Sequence, residues 1–392
     1  MKKIVFIYQI ARISFEFSFF FFAAHYVIYL QSFGFDLFQV NTINAVFMTG
    51  VLIMEIPTGV IADLVSRKKS YLIGLWLKSI GFWGYFLAGS FVGIVVSELI
   101  LAAGACFISG ALEAWLVDEL RKTGDNFSLT HIFSDTEYKA TIAQIFGGGA
   151  GGVLATLNLK LPWLTGAILL ACLAIVMATI MPADSNPLPS TTKERRQLFV
   201  AYLKQGIKIG YHHKLLRRLF ILLAIATFSW QPINMFWQPL FKSSWGMLSL
   251  GFIWMAIKIT IAFANRLASK IKQRLEVAIY WSMLQSAVAI FLLTFINNLP
   301  LVLGLFIFHE IGRGLFSPLK KSLINKQITT HKLRATILSL ESMLTKMGAT
   351  SGLLISGWLG KNTNIIFSWK IFSLLLIIAS IYFLFNYKRT RH

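Results

Sequence analysis

Apolar runs of about 20 residues, each long enough to cross a hydrocarbon core as a helix, alternate with short polar stretches along nearly the whole chain. The pattern predicts twelve such helices. The first six are roughly Ile13–Leu30, Val40–Ala62, Tyr71–Gly89, Val92–Leu116, Thr141–Leu157 and Trp163–Met181, with an outer turn through Gly34 and Asp36 joining the first two. The last six are roughly Leu219–Leu240, Leu248–Ala268, Val277–Phe295, Leu301–Leu319, Ala335–Leu359 and Ile365–Phe385. Between the sets, from Pro182 to about Arg218, lies a long polar segment rich in bases, with proline, serine and threonine. The expected organisation is therefore a six-helix bundle over 1–182, a cytoplasmic linker over 183–215 and a second six-helix bundle over 216–392. Within the linker region, Phe199, Leu203, Ile207 and Ile209 alternate with Lys204, Lys208 and Lys214, as in an amphipathic helix on a membrane surface.

Composition supports lipid as the main solvent. Hydrophobic residues make up 56% and charged residues only 14%, against about a quarter charged in soluble domains. The net charge of +21 would fit nucleic acid if the bases lined one face. They fall instead in short clusters between apolar runs, which excludes that reading and fits topogenic charge. Placing the N-terminus inside leaves Lys160, Lys242 and Lys361 as the outer-loop bases, while the inner segments carry the clusters. Both termini are thus expected in the cytoplasm, with an even number of helices. Met1-Lys2-Lys3 before an apolar run resembles a signal peptide, but Arg12 and Glu16 interrupt it and no clean small-x-small site follows, so it reads as a retained first span. Cys106 and Cys172 lie in separate apolar runs and are expected to be small buried hydrophobes, with no disulfide or metal site.

Two echoes point to duplication. Lys139-Ala140-Thr141-Ile142 opens the fifth helix and Arg334-Ala335-Thr336-Ile337 the eleventh. Both helices then carry glycines four apart: Gly147/Gly151 and Gly148/Gly152, and Gly348/Gly352. Small residues at this spacing let helix backbones approach closely in lipid. The echo falls where a parallel six-helix repeat requires it.

Gly59-x-x-x-Asp63-x-x-Ser66-Arg67-Lys68, preceded by Pro57-Thr58, resembles the signature between helices two and three of the major facilitator superfamily. Ser109-Gly110-Ala111-Leu112-Glu113-Ala114 with Glu119-Leu120, and Gly314-x-x-x-Pro318 followed by Arg334 to Ser339, are similar to a bacterial branch described as efflux-like or uncharacterised. The resemblance implies an all-α integral membrane protein with two pseudo-symmetric bundles, a central cavity and rocking alternating access in a bacterial inner membrane. It departs from the signature at Leu64, where a base is usual, and at Ser66, where a glycine is usual. It also implies a gating motif of Gly59, Asp63, Arg67 and Lys68, with Asp118 at the cytoplasmic end of helix four.

Charged residues inside helices are costly and mark the candidate chemistry: Arg12, Glu16, Glu55, Lys78, Glu98, Glu113, Lys258, Glu310, Arg313, Glu341 and Lys346. Arg12/Glu16 and Glu310/Arg313 are spaced to bridge on one helix face. Glu113 has no partner on its own helix and leads the candidates for proton coupling, followed by Glu16 and Glu341. Trp230-Gln231-Pro232-x-Asn234 in helix seven, with Trp237-Gln238-Pro239, combines kinking prolines with side chains suited to an aromatic or amphipathic solute. Trp230, Gln231, Asn234, Glu310 and Arg313 are the candidate cavity residues; an interfacial aromatic belt is the alternative for the helix-seven aromatics, above all Trp237. His25 and His309 read as satisfied structural histidines.

The chain has no phosphate-binding loop with its lysine, no His-Glu-x-x-His and no nucleophile elbow, which argues against an ATP-driven pump or a hydrolase. The expected function is a secondary transporter, a proton-coupled exporter of small amphipathic molecules, acting as a monomer with no cofactor. A metabolite or siderophore carrier of the same fold and a non-transporting receptor or scaffold are the alternatives.

Overall fold

The computed structural model describes residues 2–123, 128–182, 214–327 and 331–389, apart from the side chains of 56–65, 123, 130, 214–215, 327, 331–336, 338–339 and 387–389. Among the described residues the chain is helical throughout, without strands. The first span is interrupted. Helix α1 (Lys2–Phe19) gives way to a 3-10 turn at Phe20–Phe22, and α2 (Tyr26–Gln31) resumes after His25. Then follow α3 (Leu37–Val65), α4 (Arg67–Leu87), α5 (Phe91–Ile108), α6 (Ala111–Thr123), α7 (Leu129–Leu157) and α8 (Leu161–Ile180). Helices α5 and α6 form the fourth span, broken at Ser109–Gly110, where Gly110 has φ +72°.

The second half begins with α9 (Lys214–Ala268), whose apolar stretch from Leu216 covers 53 residues. At 1.5 Å per residue that is about 80 Å, more than twice the roughly 30 Å core. Gly246, at φ +76°, breaks it into the seventh and eighth spans. Helices α10 (Leu275–Leu293), α11 (Leu299–Gln327), α12 (His331–Asn362) and α13 (Ile365–Arg389) complete the twelve. The fifth span starts earlier than its apolar run, at Leu129, because Ser128 caps it through the His131 N–H.

Large apolar side chains face outward along the helices, Ile53, Leu87, Ile175, Phe252, Trp281 and Ile378 among them. In water such a surface would aggregate; in lipid it costs nothing. The protein is a multi-pass membrane protein.

The chain divides into two compact units. Unit 1 takes the described residues of 1–34, 46–199 and 245–255; unit 2 takes 35–45, 200–244 and 256–392. In unit 1, α4 lies against α5 and α8, and α1 against α7 and α8. In unit 2, α10 lies against α11 and α13. Unit 2 also holds the start of α3, where Asp36 and Gln39 form a reciprocal cap: the Gln39 N–H donates to Asp36 Oδ1 at 2.9 Å and the Asp36 N–H to Gln39 Oε1 at 3.1 Å. Asp36 also pairs with Lys361 Nζ at 2.9 Å.

Cys106 is buried, but Cys172 is exposed, contrary to the expectation for it. It lies on α8 in an apolar groove shared with α1 and α7, rather than inside the bundle.

Candidate functional site

The prolines of the seventh span shape the polar centre of unit 2. Pro232 has no N–H to return to the Phe228 carbonyl, so that oxygen is released from the regular ladder. One face of the same helix carries Trp230 and Asn234 toward α10 and α11. On α11, Glu310 is buried at 2% exposure and its Oε2 lies 3.2 Å from Arg313 Nε. Arg313 Nη1 donates to Asn234 Oδ1, so one guanidinium ties helix seven to the buried carboxylate. Lys258, in the second part of α9, adds positive charge nearby.

Trp230 is buried, donating through Nε1 to Ser286 Oγ at 3.0 Å, with its ring edge-on to Phe316. It buttresses the cluster from behind. His309 completes that wall: its Nδ1 is 2.8 Å from Ser286 Oγ and 3.0 Å from the Ser286 carbonyl, while Nε2 has no partner among the described residues. Gln231 is half-buried and makes no hydrogen bond among the described residues, leaving its amide available. Trp237 is buried against Phe306. The structure thus brings Asn234, Glu310 and Arg313 together, with Trp230 behind them.

Unit 1 holds two further polar groups. In the first, Arg12 Nη1 lies 2.9 Å from Glu16 and Nη2 3.5 Å from Glu137, while Gln144 Nε2 donates to Glu16 Oε2 at 2.8 Å. Beside them, a cavity of about 250 Å³ sits on the break in the fourth span, lined by Arg12, Tyr71, Ser109, Gly110 and Glu113, with apolar neighbours. Glu113 is in the first turn of α6, where the helix N-terminus favours a negative charge, and makes no ion pair among the described residues. Glu341, in unit 2, is paired to Lys320 at 2.5 Å.

The second group is deeper. Lys78 on α4 and Glu98 on α5 are 2% and 4% exposed, and Glu98 accepts hydrogen bonds from Tyr26 and Tyr85. From the sequence both are charges inside apolar helices, with no spacing that pairs them. They share one buried region, out of ion-pair contact, because α4 and α5 run antiparallel, which no local spacing announces. His25, expected to be satisfied, is fully buried with neither ring nitrogen partnered among the described residues.

Against this architecture, the sequence profile of the Major Facilitator Superfamily matches residues 10–283. The chain belongs to the major facilitator superfamily. It is 26% identical over 262 residues to YxaM, an uncharacterised MFS-type transporter of Bacillus subtilis (strain 168); the match covers 65% of this chain and 63% of that relative. Its fold is similar to that of the nucleoside transporter NupG, at a TM-score of 0.81 and 15% identity, covering 98% of this chain and 99% of that one. It is also similar to a POT family transporter in complex with a thioalcohol-conjugated peptide, at a TM-score of 0.76 and 14% identity, covering 98% and 96%. The match spans less than two thirds of that relative's length, and the family profile and the relative are both of the major-facilitator transporter type.

Of the superfamily's signature residues, the side chain of Asp63 and the surroundings of Gly59 lie outside the described residues. Lys68 has a defined place: its Nζ donates to the Ala178 and Met181 carbonyls at 2.8 and 2.5 Å, closing the C-terminus of α8. Arg67 opens α4 and is half-buried, and Asp118 is exposed on α6.

The glycines are positions of contact. A Cβ on Gly148 would lie 2.0 Å from Trp254 Nε1, and one on Gly152 2.6 Å from the Gly251 Cα, both within unit 1. In unit 2, a Cβ on Gly348 would lie 2.5 Å from the Ala224 carbonyl oxygen and one on Gly352 2.4 Å from the Phe228 carbonyl oxygen. Glycine is thus the residue that admits these neighbours.

Proposed function

We propose that this chain is a proton-coupled carrier in a bacterial inner membrane, with both termini cytoplasmic, that moves a small amphipathic organic solute by alternating access. The solute's polar group is held at Glu310, Arg313 and Asn234. The observation that carries this reading is the buried Glu310–Arg313 pair, tied to a proline-kinked helix through Asn234. A buried ion pair is weak as a stabiliser, and inside a membrane it is retained where its charges have work to do. A guanidinium with donors to spare and a half-buried Gln231 amide suit a solute with carboxyl, carbonyl or ring-nitrogen acceptors. The nucleoside and peptide-carrying neighbours are consistent with solutes of that chemistry.

The test is a thermal-shift screen of purified protein against nucleosides, dipeptides, siderophores and cationic aromatic dyes, since a bound solute stabilises by mass action. A stabilising probe is then followed in proteoliposomes and in everted vesicles, which read direction; accumulation in everted vesicles is the outcome for export. The expected result is a probe whose thermal shift and flux are both lost in Arg313→Lys, where the bidentate fork is gone. Flux that survives Arg313→Lys unchanged would remove this cluster from recognition.

A further inference from the structure

The Glu98 group is built unlike the ion pairs elsewhere in the chain. Its Oε1 accepts from Tyr26 Oη at 3.1 Å and its Oε2 from Tyr85 Oη at 2.9 Å. No base lies within ion-pair distance of it among the described residues. Lys78, equally buried, faces rings instead of a carboxylate: its Nζ lies 4.5 Å from the centre of Phe19 and 5.1 Å from that of Phe47. The Tyr85 ring lies flat on Trp163 at 4.0 Å, and Tyr29 Oη donates to the Tyr85 carbonyl, so the hydroxyls are held in place.

Hydroxyl partners have a property that basic partners lack. A tyrosine O–H donates to an ionised carboxylate, yet its oxygen accepts from a protonated one after a turn of the hydroxyl hydrogen. Glu98 can therefore gain or lose a proton with its hydrogen bonds satisfied in both states and no heavy atom displaced. An arginine or lysine in contact would satisfy only the ionised form. With Lys78 protonated nearby, the group as a whole alternates between neutral and singly positive. At this burial little solvent screens the difference.

The change would be felt at a backbone irregularity. Tyr26 is the first residue of α2, directly after His25, whose φ of −140° and ψ of 13° interrupt the first span. Discontinuous spans are where carriers concentrate ion and substrate sites.

We propose that Glu98 is the carboxyl group that takes up and releases the coupled proton, with Tyr26 and Tyr85 as its hydrogen-bond partners in both states and Lys78 as the neighbouring base. Uptake forms one O–H bond on a carboxylate oxygen; release breaks it and returns the proton to water on whichever side is open. The titratable groups facing Glu98 are Tyr26 from α2 and Tyr85 and Lys78 from α4, while α8 presents the Trp163 ring; around Lys78 come next the Cys106 thiol of α5 and Glu16, which is engaged by Arg12. This rests on the proton-coupled reading above and assigns its coupling group to α5, in place of Glu113, Glu16 or Glu341.

The experiment is infrared difference spectroscopy of the full chain in lipid vesicles, following the C=O stretch of protonated carboxylic acids between acid and alkaline buffer, with the proton itself as the probe. A titrating band that vanishes in Glu98→Gln and shifts in Tyr26→Phe is the expected result. The Tyr26→Phe variant keeps the carboxyl group, so it reports even where Glu98→Gln does not fold. A set of carboxyl bands indifferent to both substitutions overturns the assignment. With the probe found in the thermal-shift screen, pH-gradient-driven flux should fall about tenfold further than solute exchange in Glu98→Gln, since only the driven mode needs the proton; equal losses would make Glu98 structural. A titrating Glu98 band in a protein that moves no probe would instead defeat the transport reading and leave the proton site standing.

Discussion

The carbonyl oxygen of Phe21 stands 1.7 Å from the point where a Cβ on Gly151 would be. The oxygen is presented there because the first span breaks: the His25 N–H goes to the Phe22 carbonyl at 3.2 Å, leaving Phe21 outside the regular ladder. Unit 2 repeats the relationship. Gly352 faces the Phe228 carbonyl at 2.4 Å, and that carbonyl is released by Pro232, four residues on. One turn earlier, a Cβ on Gly147 would lie 2.3 Å from the Phe17 carbonyl oxygen and one on Gly348 2.5 Å from the Ala224 carbonyl oxygen, both within regular helix. Two backbones thus meet twice, one turn apart, in each unit, and different local devices free the same acceptor.

Alanine at Gly151 or Gly352 should therefore push apart two helices whose contact is backbone on backbone and cannot relax by a rotamer change. Overpacking of this kind costs about 1–3 kcal/mol, read as a lowered midpoint of thermal unfolding in detergent. Gly304, with nothing within 4 Å of its would-be Cβ, is the control. Alanine there should be neutral or slightly stabilising, as alanine is the better helix former by about 1 kcal/mol. Equal responses at Gly304 and Gly151 would show that the close approach is not what glycine provides.

The outer turn gives a pH-dependent prediction. Burial works to raise the Asp36 carboxyl, but the Gln39 N–H, the Lys361 ammonium and the Phe38 N–H outweigh it and hold the group below its ordinary value. A depressed carboxyl contributes stability above its unfolded value of about 3.9, and the contribution is lost as pH falls through the folded value. The pair is a third to a half exposed, so its share is about 0–1 kcal/mol and shrinks with salt. The cap should be worth about 1 kcal/mol more. Unfolding midpoints of the native protein and Asp36→Ala should differ at neutral pH and converge toward pH 3. Lys361→Gln should remove only the salt-sensitive part.

The sequence made the span count and the ion pairs Arg12–Glu16 and Glu310–Arg313 legible, because hydrophobic length and the i,i+3 or i,i+4 spacing are local properties. It did not announce the break at Phe20–His25, since a run of phenylalanines is equally apolar whether helical or not. Gly110 stands at the break in the fourth span, but the apolar run continues across it, so the sequence reads as one helix. The Lys78–Glu98 group was invisible for a different reason: its members sit on two helices, and each looked like a stray charge until the antiparallel pairing of α4 and α5 placed them together. Trp230 was legible as a polar-tipped aromatic, but not its direction, which depends on Ser286 in another helix.

Glu310 and Arg313 are predicted to be coupled. Removing the guanidinium in Arg313→Ala leaves a carboxylate at 2% exposure with its partner gone, and breaking a buried pair from one side costs about 3–5 kcal/mol. The cost here should sit at the lower end, because Arg313 itself is 24% exposed. The double variant Arg313→Ala/Glu310→Gln should recover much of the stability, as no charge is then stranded. Solute flux should stay lost in both. A double variant no more stable than Arg313→Ala alone would show that the arginine acts through Asn234 rather than through Glu310.

The signature turn carries the last prediction. Ser66 has φ 148° and ψ 155°, a region that L-residues avoid and glycine enters freely, and it stands where the superfamily's pattern usually has glycine. Holding a non-glycine there costs about 1–3 kcal/mol. The serine returns part of this, because its Oγ caps α4 by accepting the Lys69 N–H at 3.2 Å. Substitution separates the two effects. Ser66→Gly relieves the strain and loses a cap worth only a few tenths of a kcal/mol relative to glycine, against a backbone-entropy cost of about 0.5–1 kcal/mol. It should raise thermal stability or leave it level. Ser66→Ala keeps the strain and forfeits the cap, and should lower stability by about 1 kcal/mol. The order glycine, serine, alanine is the checkable result in thermal unfolding of the purified variants. If alanine proved as stable as serine, the Lys69 cap would carry no weight. If glycine proved the least stable of the three, the turn would hold no strain, and serine would be the residue this backbone prefers.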